Sequence, residues 1–127
     1  MTTRYRLLYI EDNPVNTLVV EELLARRPDI ELRCADTGQA GLAEAATWQP
    51  ELVLVDMQLP DMDGFQVLRG LQAQAALSGV PAIALSANAM PDDIALALQA
   101  GFSAYWTKPI DFKAFYAGLD ARLPQRA

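Results

Sequence analysis

Leu52-Val53-Leu54-Val55 is an unbroken apolar run closed by Asp56 and then by the turn-rich segment Met57-Gln58-Leu59-Pro60-Asp61-Met62-Asp63-Gly64. A strand with one face in water alternates apolar and polar residues. An unbroken run reads instead as a strand covered on both faces, as at the centre of a parallel sheet. Open α/β sheets place their ligands beyond the carboxyl ends of such strands. A solvated aspartate that merely closes a strand is the competing reading of Asp56, and the residue alone does not decide between them.

The rest of the chain repeats the pattern. Leu7-Leu8-Tyr9-Ile10 is a first buried strand ending in Glu11 and Asp12, and Asn13-Pro14 starts a helix as N-cap and first helical residue. Val15, Leu18, Val19 and Leu23 follow at helical spacing, and Arg26-Arg27-Pro28 closes that helix. Glu31 to Ala35 is a shorter strand. Asp36-Thr37-Gly38 opens a helix to about Trp48, with Leu42, Ala45 and Ala46 on one face. After the central strand, a helix runs from about Phe65 to Leu77, interrupted by Gly70 at about 1 kcal/mol relative to Ala. Ala82-Ile83-Ala84-Leu85 ends at Ser86, a loop covers 87–90, and Pro91-Asp92-Asp93 begins a helix with two acids suited to its dipole. Gly101 stops it. Ala104 to Thr107 leads to Lys108-Pro109, and Asp111 caps a final helix carrying Phe112, Phe115, Tyr116, Leu119 and Leu123 until Pro124. Five strand–helix alternations require right-handed crossovers and a parallel sheet with helices on both faces. The fold class is α/β, a doubly wound, flavodoxin-like (βα)5 sheet in the order 2-1-3-4-5.

With 127 residues the prior is one domain over 1–127, with no linker and no output domain in the sequence. No apolar run approaches the ~20 residues that span a bilayer, and Met1-Thr2-Thr3-Arg4 lacks a signal peptide's apolar core. The expectation is a cytoplasmic protein without membrane insertion. The single Cys34 excludes an internal disulfide and reads as a small buried hydrophobe. A net charge of −6 argues against nucleic acid as a direct ligand. The absence of histidine excludes His-based acid–base chemistry and His-ligated metals.

In the 2-1-3-4-5 order the first and third strands are neighbours, so Glu11, Asp12 and Asp56 meet in one crevice, with Ser86 and Lys108 arriving from the fourth and fifth strands. Two carboxylates ~4 Å apart repel by roughly 4 kcal/mol at an effective dielectric near 20. A divalent cation relieves that cost, and oxygen-only ligands select a hard one, Mg²⁺. The three acids and one lysine leave two negative charges, which one such ion offsets. A carboxylate can then accept a phosphoryl group as an acyl phosphate, in a transfer governed by positioning and charge stabilisation. Asp56 is the best-placed nucleophile. Glu11 and Asp12 hold the metal, Lys108 pairs with a phosphoryl oxygen, and the Ser86 hydroxyl donates to another.

Five segments in order carry a family resemblance: Glu11-Asp12-Asn13; Asp56-Met57 with Leu59-Pro60 and Met62-Asp63-Gly64; Ala84-Leu85-Ser86-Ala87; Tyr105; and Lys108-Pro109. Along nearly its whole length the sequence resembles the receiver domain of two-component response regulators. Glu11 to Asn16 and Ser86 to Met90 look most like receivers attached to hybrid sensor kinases. The resemblance implies that a partner histidine kinase or histidine phosphotransfer protein donates to Asp56, and that the Met57 carbonyl also ligates Mg²⁺. It implies a cis Lys108–Pro109 bond and a signalling switch that catalyses only its own phosphorylation and dephosphorylation. Ser86 and Tyr105 are the implied switch residues, remodelling the surface of the fourth helix, fifth strand and fifth helix for a downstream effector protein. The resemblance also implies that Gln58 and Asn88 hold positions that tune phosphoryl lifetime, against the reading of both as ordinary polar loop residues. Ser86 in place of the commoner Thr and Trp106 in place of a smaller aliphatic depart from the family pattern. The rivals are a phosphatase with Asp61 and Asp63 as accessory acids, an FMN carrier, which would need a phosphate-cradling loop after the first strand, and a receiver that binds partners without phosphorylation.

Overall fold

In the computed structural model, which describes residues 4–88 and 90–124, the apolar run is the middle strand of a five-stranded parallel sheet. The elements in chain order are β1 (Tyr5–Ile10), α1 (Pro14–Leu24), β2 (Ile30–Ala35), α2 (Gly38–Trp48), β3 (Leu52–Asp56), α3 (Gly64–Gln72), a 3₁₀ turn (Ala75–Leu77), β4 (Ala82–Ser86), α4 (Pro91–Ala100), β5 (Ala104–Thr107) and α5 (Phe112–Arg122). The sheet order is β2-β1-β3-β4-β5, as expected. Ala89 of the expected 87–90 loop and the chain ends of the expected 1–127 domain lie outside the described residues.

Period-two alternation explains the uninterrupted apolar strands. Leu8, Ile10, Val53 and Val55 face one layer with Val67, Leu71 and Ala97 of α2–α4's side, while Leu7, Tyr9, Leu52 and Leu54 face the other with Val20, Leu23, Phe115 and Leu119 of α1 and α5. Both faces of β3 are buried, so each side chain loses its contact with water whichever way it points. Fully burying each such side chain is worth roughly 1.5–3 kcal/mol.

Several local expectations need correction. On α1 the buried stripe is Val20, Leu23 and Leu24, while Val15, Leu18 and Val19 are 66 %, 54 % and 37 % exposed. The Asn13 cap and β1 fix where the helix starts, and that phase turns the earlier apolar residues outward. On α2, Ala45 is buried and Leu42 half-buried, but Ala46 is exposed. Cys34 is exposed, because β2 is an edge strand. Phe112 is 62 % exposed at the start of α5, where Phe115 and Leu119 supply the buried face. The third helix stops at Gln72, and the chain reaches Leu77 through the 3₁₀ turn.

Two sequence oddities acquire reasons. A methyl on Gly70 would lie 2.7 and 2.8 Å from the two Leu42 methyls, so glycine lets α3 close on α2. A methyl on Gly118 would fall inside the Trp106 indole. The large side chain on β5 thus fits because α5 has no Cβ beneath it, and the indole meets Phe115 edge-on at 5.9 Å.

Candidate phosphoacceptor site

The site is assembled at the carboxyl edge of the sheet. Asn13 Oδ1 accepts from the Val15 N–H at 2.9 Å, capping α1 and turning the chain sharply after Glu11 and Asp12. Glu11 is only 2 % exposed. Its Oε1 accepts from Tyr9 Oη at 2.9 Å, Asn16 Nδ2 at 3.1 Å and Lys108 Nζ at 2.8 Å, and its Oε2 from the Asn13 N–H at 3.3 Å. Asp12 is exposed. Asp56, 4 % exposed at the end of β3, accepts from the Gln58 N–H at 3.1 Å. One carboxylate oxygen from each of Glu11, Asp12 and Asp56 lies within 4.8 Å of the others.

Lys108 follows β5, where its N–H donates to the Ser86 carbonyl at 2.9 Å and its bond to Pro109 is cis. Its Nζ stands 3.3 Å from Asp56 Oδ1. Ser86 is buried at the end of β4, and its Oγ accepts from the Asn88 N–H at 3.0 Å. These groups line a cleft of about 210 Å³ with Asn13, Asn16, Gln58 and Ala87. A wider groove of about 610 Å³ lies between α1, β2 and α2, but its lining offers four acids and no cation, which suits no phosphoryl group.

The electrostatics follow from crowding. Burial pushes the Asp56 carboxyl up to about 6, and its hydrogen bond with Glu11 pushes the same way, against the Gln58 N–H and Lys108. Burial also opposes ionisation of Glu11, but hydrogen bonds shared with Asp56, Lys108 and Tyr9 overcome it and hold Glu11 down at about 2. Burial works against the Lys108 ammonium, and Glu11 and Asp56 outweigh it, so its affinity for its proton rises. The Tyr9 hydroxyl, pushed far above its ordinary range by burial and then by Glu11, stays a donor. Glu11 is therefore the fixed charge of the site, and Asp56 is the carboxyl whose charge depends on its surroundings.

The other expected residues are placed as follows. Met57 lies beside Asp56, with its N–H donating to the Leu85 carbonyl at 3.0 Å and its own carbonyl accepting from the Gly64 N–H at 3.2 Å. That carbonyl keeps a second lone pair. Tyr105 Oη donates to the Asn88 carbonyl at 2.6 Å. The Asn88 side chain turns to α4, donating to Asp93 at 2.7 Å and accepting from the Met90 N–H at 3.2 Å. Asp61 and Asp63 do not serve as accessory acids. Asp61 accepts from the N–H groups that open α2, and Asp63 caps α3 in a reciprocal capping box with Gln66. Tyr9 and Asn16 were not singled out for the site from the sequence. The signal was present for Tyr9, since a residue two places before Glu11 on a strand shares its face.

The sequence pattern of the response regulator receiver domain matches residues 7–120. The chain is 37 % identical over 108 residues to the sensor protein GacS of Pseudomonas syringae pv. syringae, covering 83 % of this chain and 12 % of that protein. It is 33 % identical over 122 residues to the DNA-binding response regulator MtrA of Mycolicibacterium smegmatis, covering 96 % of this chain and 52 % of that one. Among solved structures, the receiver domain of sensor histidine kinase PA1611 from Pseudomonas aeruginosa PAO1 matches with a TM-score of 0.84 at 32 % identity, over 94 % of this chain and 98 % of that one. That structure has a magnesium ion coordinated in its active site cleft. The chain belongs to the response regulator receiver domain family, the phosphoacceptor switches of two-component systems. Its own donor set fits Mg²⁺: three carboxylates gathered in one place, with no nitrogen or sulfur ligand among them. Among the described residues no helix is long and apolar enough to cross a membrane.

Proposed function

We propose that Asp56 is the phosphoacceptor, taking a phosphoryl group from the phosphohistidine of a cytoplasmic histidine kinase or histidine phosphotransfer protein. The observation that carries this reading is the convergence of the Glu11, Asp12 and Asp56 carboxylates within 4.8 Å, with Lys108 Nζ 3.3 Å from Asp56. An Asp56 carboxylate oxygen attacks phosphorus, the histidine N–P bond breaks, and the imidazole keeps the electron pair and takes up a proton. Glu11, Asp12, Asp56 and the Met57 carbonyl would hold Mg²⁺, which when bound would supply charge neutralisation for the transferred group.

The chain's own groups do the rest. Lys108 is held between Glu11 and Asp56, so its ammonium can pass to a phosphoryl oxygen without leaving the cleft. The Ser86 hydroxyl accepts from Asn88, which leaves its hydrogen free to donate to a second phosphoryl oxygen. Movement of Ser86 is felt at Asn88, whose carbonyl holds Tyr105 and whose side chain holds Asp93 of α4. That linkage supports a change of the α4–β5–α5 surface read by a downstream effector. Gln58, lining the cleft, and Asn88, ordering the β4–α4 loop, set how long the acyl phosphate survives before the domain hydrolyses it.

Acetyl phosphate with Mg²⁺ should add one phosphoryl group in a base-labile linkage. EDTA should block it, and Asp56→Asn should abolish it. Lys108→Ala should leave part of the labelling while uncoupling the surface change. Labelling of Asp56→Asn at the wild-type level would overturn the assignment.

A further inference from the structure

The loop from Met57 to Asp63 supplies two main-chain groups to the site: the Met57 carbonyl beside Asp56, and the Gln58 N–H that donates to Asp56 Oδ1. At its base the loop is closed by a bridge between Gln58 and Asp63 and by the Gly64 N–H to the Met57 carbonyl. Its tip, Leu59 to Met62, has no such closure; Leu59 and Met62 pack against the core, and Asp61 adds a polar hold. Its Oδ1 accepts from the Gly38 N–H at 2.8 Å and its Oδ2 from the Gln39 N–H at 2.9 Å.

The first four amides of α2 are thereby all engaged. Thr37 takes the other two, through Oγ1 to the Ala40 N–H at 3.0 Å and through its carbonyl to the Gly41 N–H at 3.0 Å. A helix start ordinarily finds its caps nearby in the sequence. Here two of the three side-chain caps, those on the Gly38 and Gln39 N–H groups, come from the loop that borders Asp56. The contact is close as well as polar, because a methyl on Gly38 would run into the Met62 thioether. The α2 amides and the helix dipole also keep the Asp61 carboxyl below the usual aspartate range, so the staple stays charged across neutral pH.

We propose that Asp61 is a positioning residue for phosphoryl transfer. By stapling the β3–α3 loop to the start of α2, it fixes the Met57 carbonyl and the Gln58 N–H around Asp56. The inference rests on the reading of Asp56 as the acceptor. It makes the geometry of the site depend on where α2 lies, although α2 contributes no side chain to the Asp56 cleft.

Three variants decide it: Asp61→Ala removes the staple, Asp61→Asn keeps one acceptor oxygen, and Thr37→Ala removes a cap from the same helix end without touching the loop. Mg²⁺ affinity by calorimetry, the rate of labelling by acetyl phosphate, and urea stability are measured for each. Outer partners of ligating groups are worth about 10–100-fold, so Asp61→Ala should slow labelling and weaken Mg²⁺ by about tenfold, with Asp61→Asn between it and the wild type. Thr37→Ala should lose comparable stability with Mg²⁺ affinity and labelling unchanged. Wild-type Mg²⁺ affinity and labelling in Asp61→Ala, or equal losses in Thr37→Ala, would reduce Asp61 to a helix cap and overturn the proposal. If Asp61→Ala does not fold, the comparison of Asp61→Asn with Thr37→Ala decides it on the same terms. If the wild-type chain takes no phosphoryl group, the acceptor reading fails, and the Mg²⁺ titrations still judge the staple.

Discussion

Replacing Asp56 by Asn should stabilise the metal-free protein, and the amount can be worked from the site. Asp56 is raised from 3.8 to about 6 by burial and by its hydrogen bond with Glu11. A folded-state value above the unfolded one means that folding favours the protonated acid. The stability contributed is complete below 3.8 and lost as pH rises through 6. Two units correspond to about 3 kcal/mol of ionisation cost at pH 8. The amide carries no charge and avoids that cost. Glu11 works in the opposite sense, but its contribution is complete above 4.5 and lost as pH falls toward about 2, so it leaves the interval between 4.5 and neutral pH to Asp56. In urea melts with EDTA at pH 8, Asp56→Asn should exceed the wild type by about 2–3 kcal/mol, or roughly 10 °C in Tm for a domain of this size. At pH 4 the two should agree to within about 1 kcal/mol. Added Mg²⁺ at pH 8 should raise the wild type and leave the variant nearly unmoved. A variant less stable than the wild type at pH 8, or a gap that does not change with pH, would refute the crowding argument.

Because Asp56 must lose its proton before it can ligate, Mg²⁺ affinity measured by calorimetry should fall about tenfold for each pH unit below 6, with proton release at pH 5 and none at pH 8. Gly118→Ala forces the Trp106 indole aside and should cost about 1–3 kcal/mol, together with a change in tryptophan emission. Leu54→Ala, deleting a fully buried side chain from β3, should cost about 2–5 kcal/mol in urea melts.

The architecture was legible because its signals are local. Apolar runs mark the buried strands, and Asn13-Pro14, Thr37 and Asp111 mark helix starts by their own side chains. The site was legible for a related reason: once the sheet order is known, residues at strand ends must meet, and Glu11, Asp12, Asp56, Ser86 and Lys108 all sit there. What failed depended on partners distant in sequence. The outward phase of Val15, Leu18 and Val19 is set by how α1 lands on the sheet, and the exposure of Cys34 by β2 being the last strand. Asp61 looked like a spare acid until α2 appeared beside it, more than twenty residues away in the chain. Gly70 and Trp106 made no sense alone, since each answers to one other residue, Leu42 and Gly118.

The chain's two indoles lie on opposite sides of the sheet. Trp48 is buried in the α2–α3 layer with the Arg33 guanidinium 4.6 Å from its ring centre, and Trp106 rests on α5 beside Phe115. A single cuvette therefore contains two optical sensors that do not share an environment. Trp48→Phe leaves a lamp on the α5 flank, and Trp106→Phe leaves one at the far end of the helix that Asp61 grips, so a quenching experiment can watch each half of the molecule separately while the acid pocket is charged.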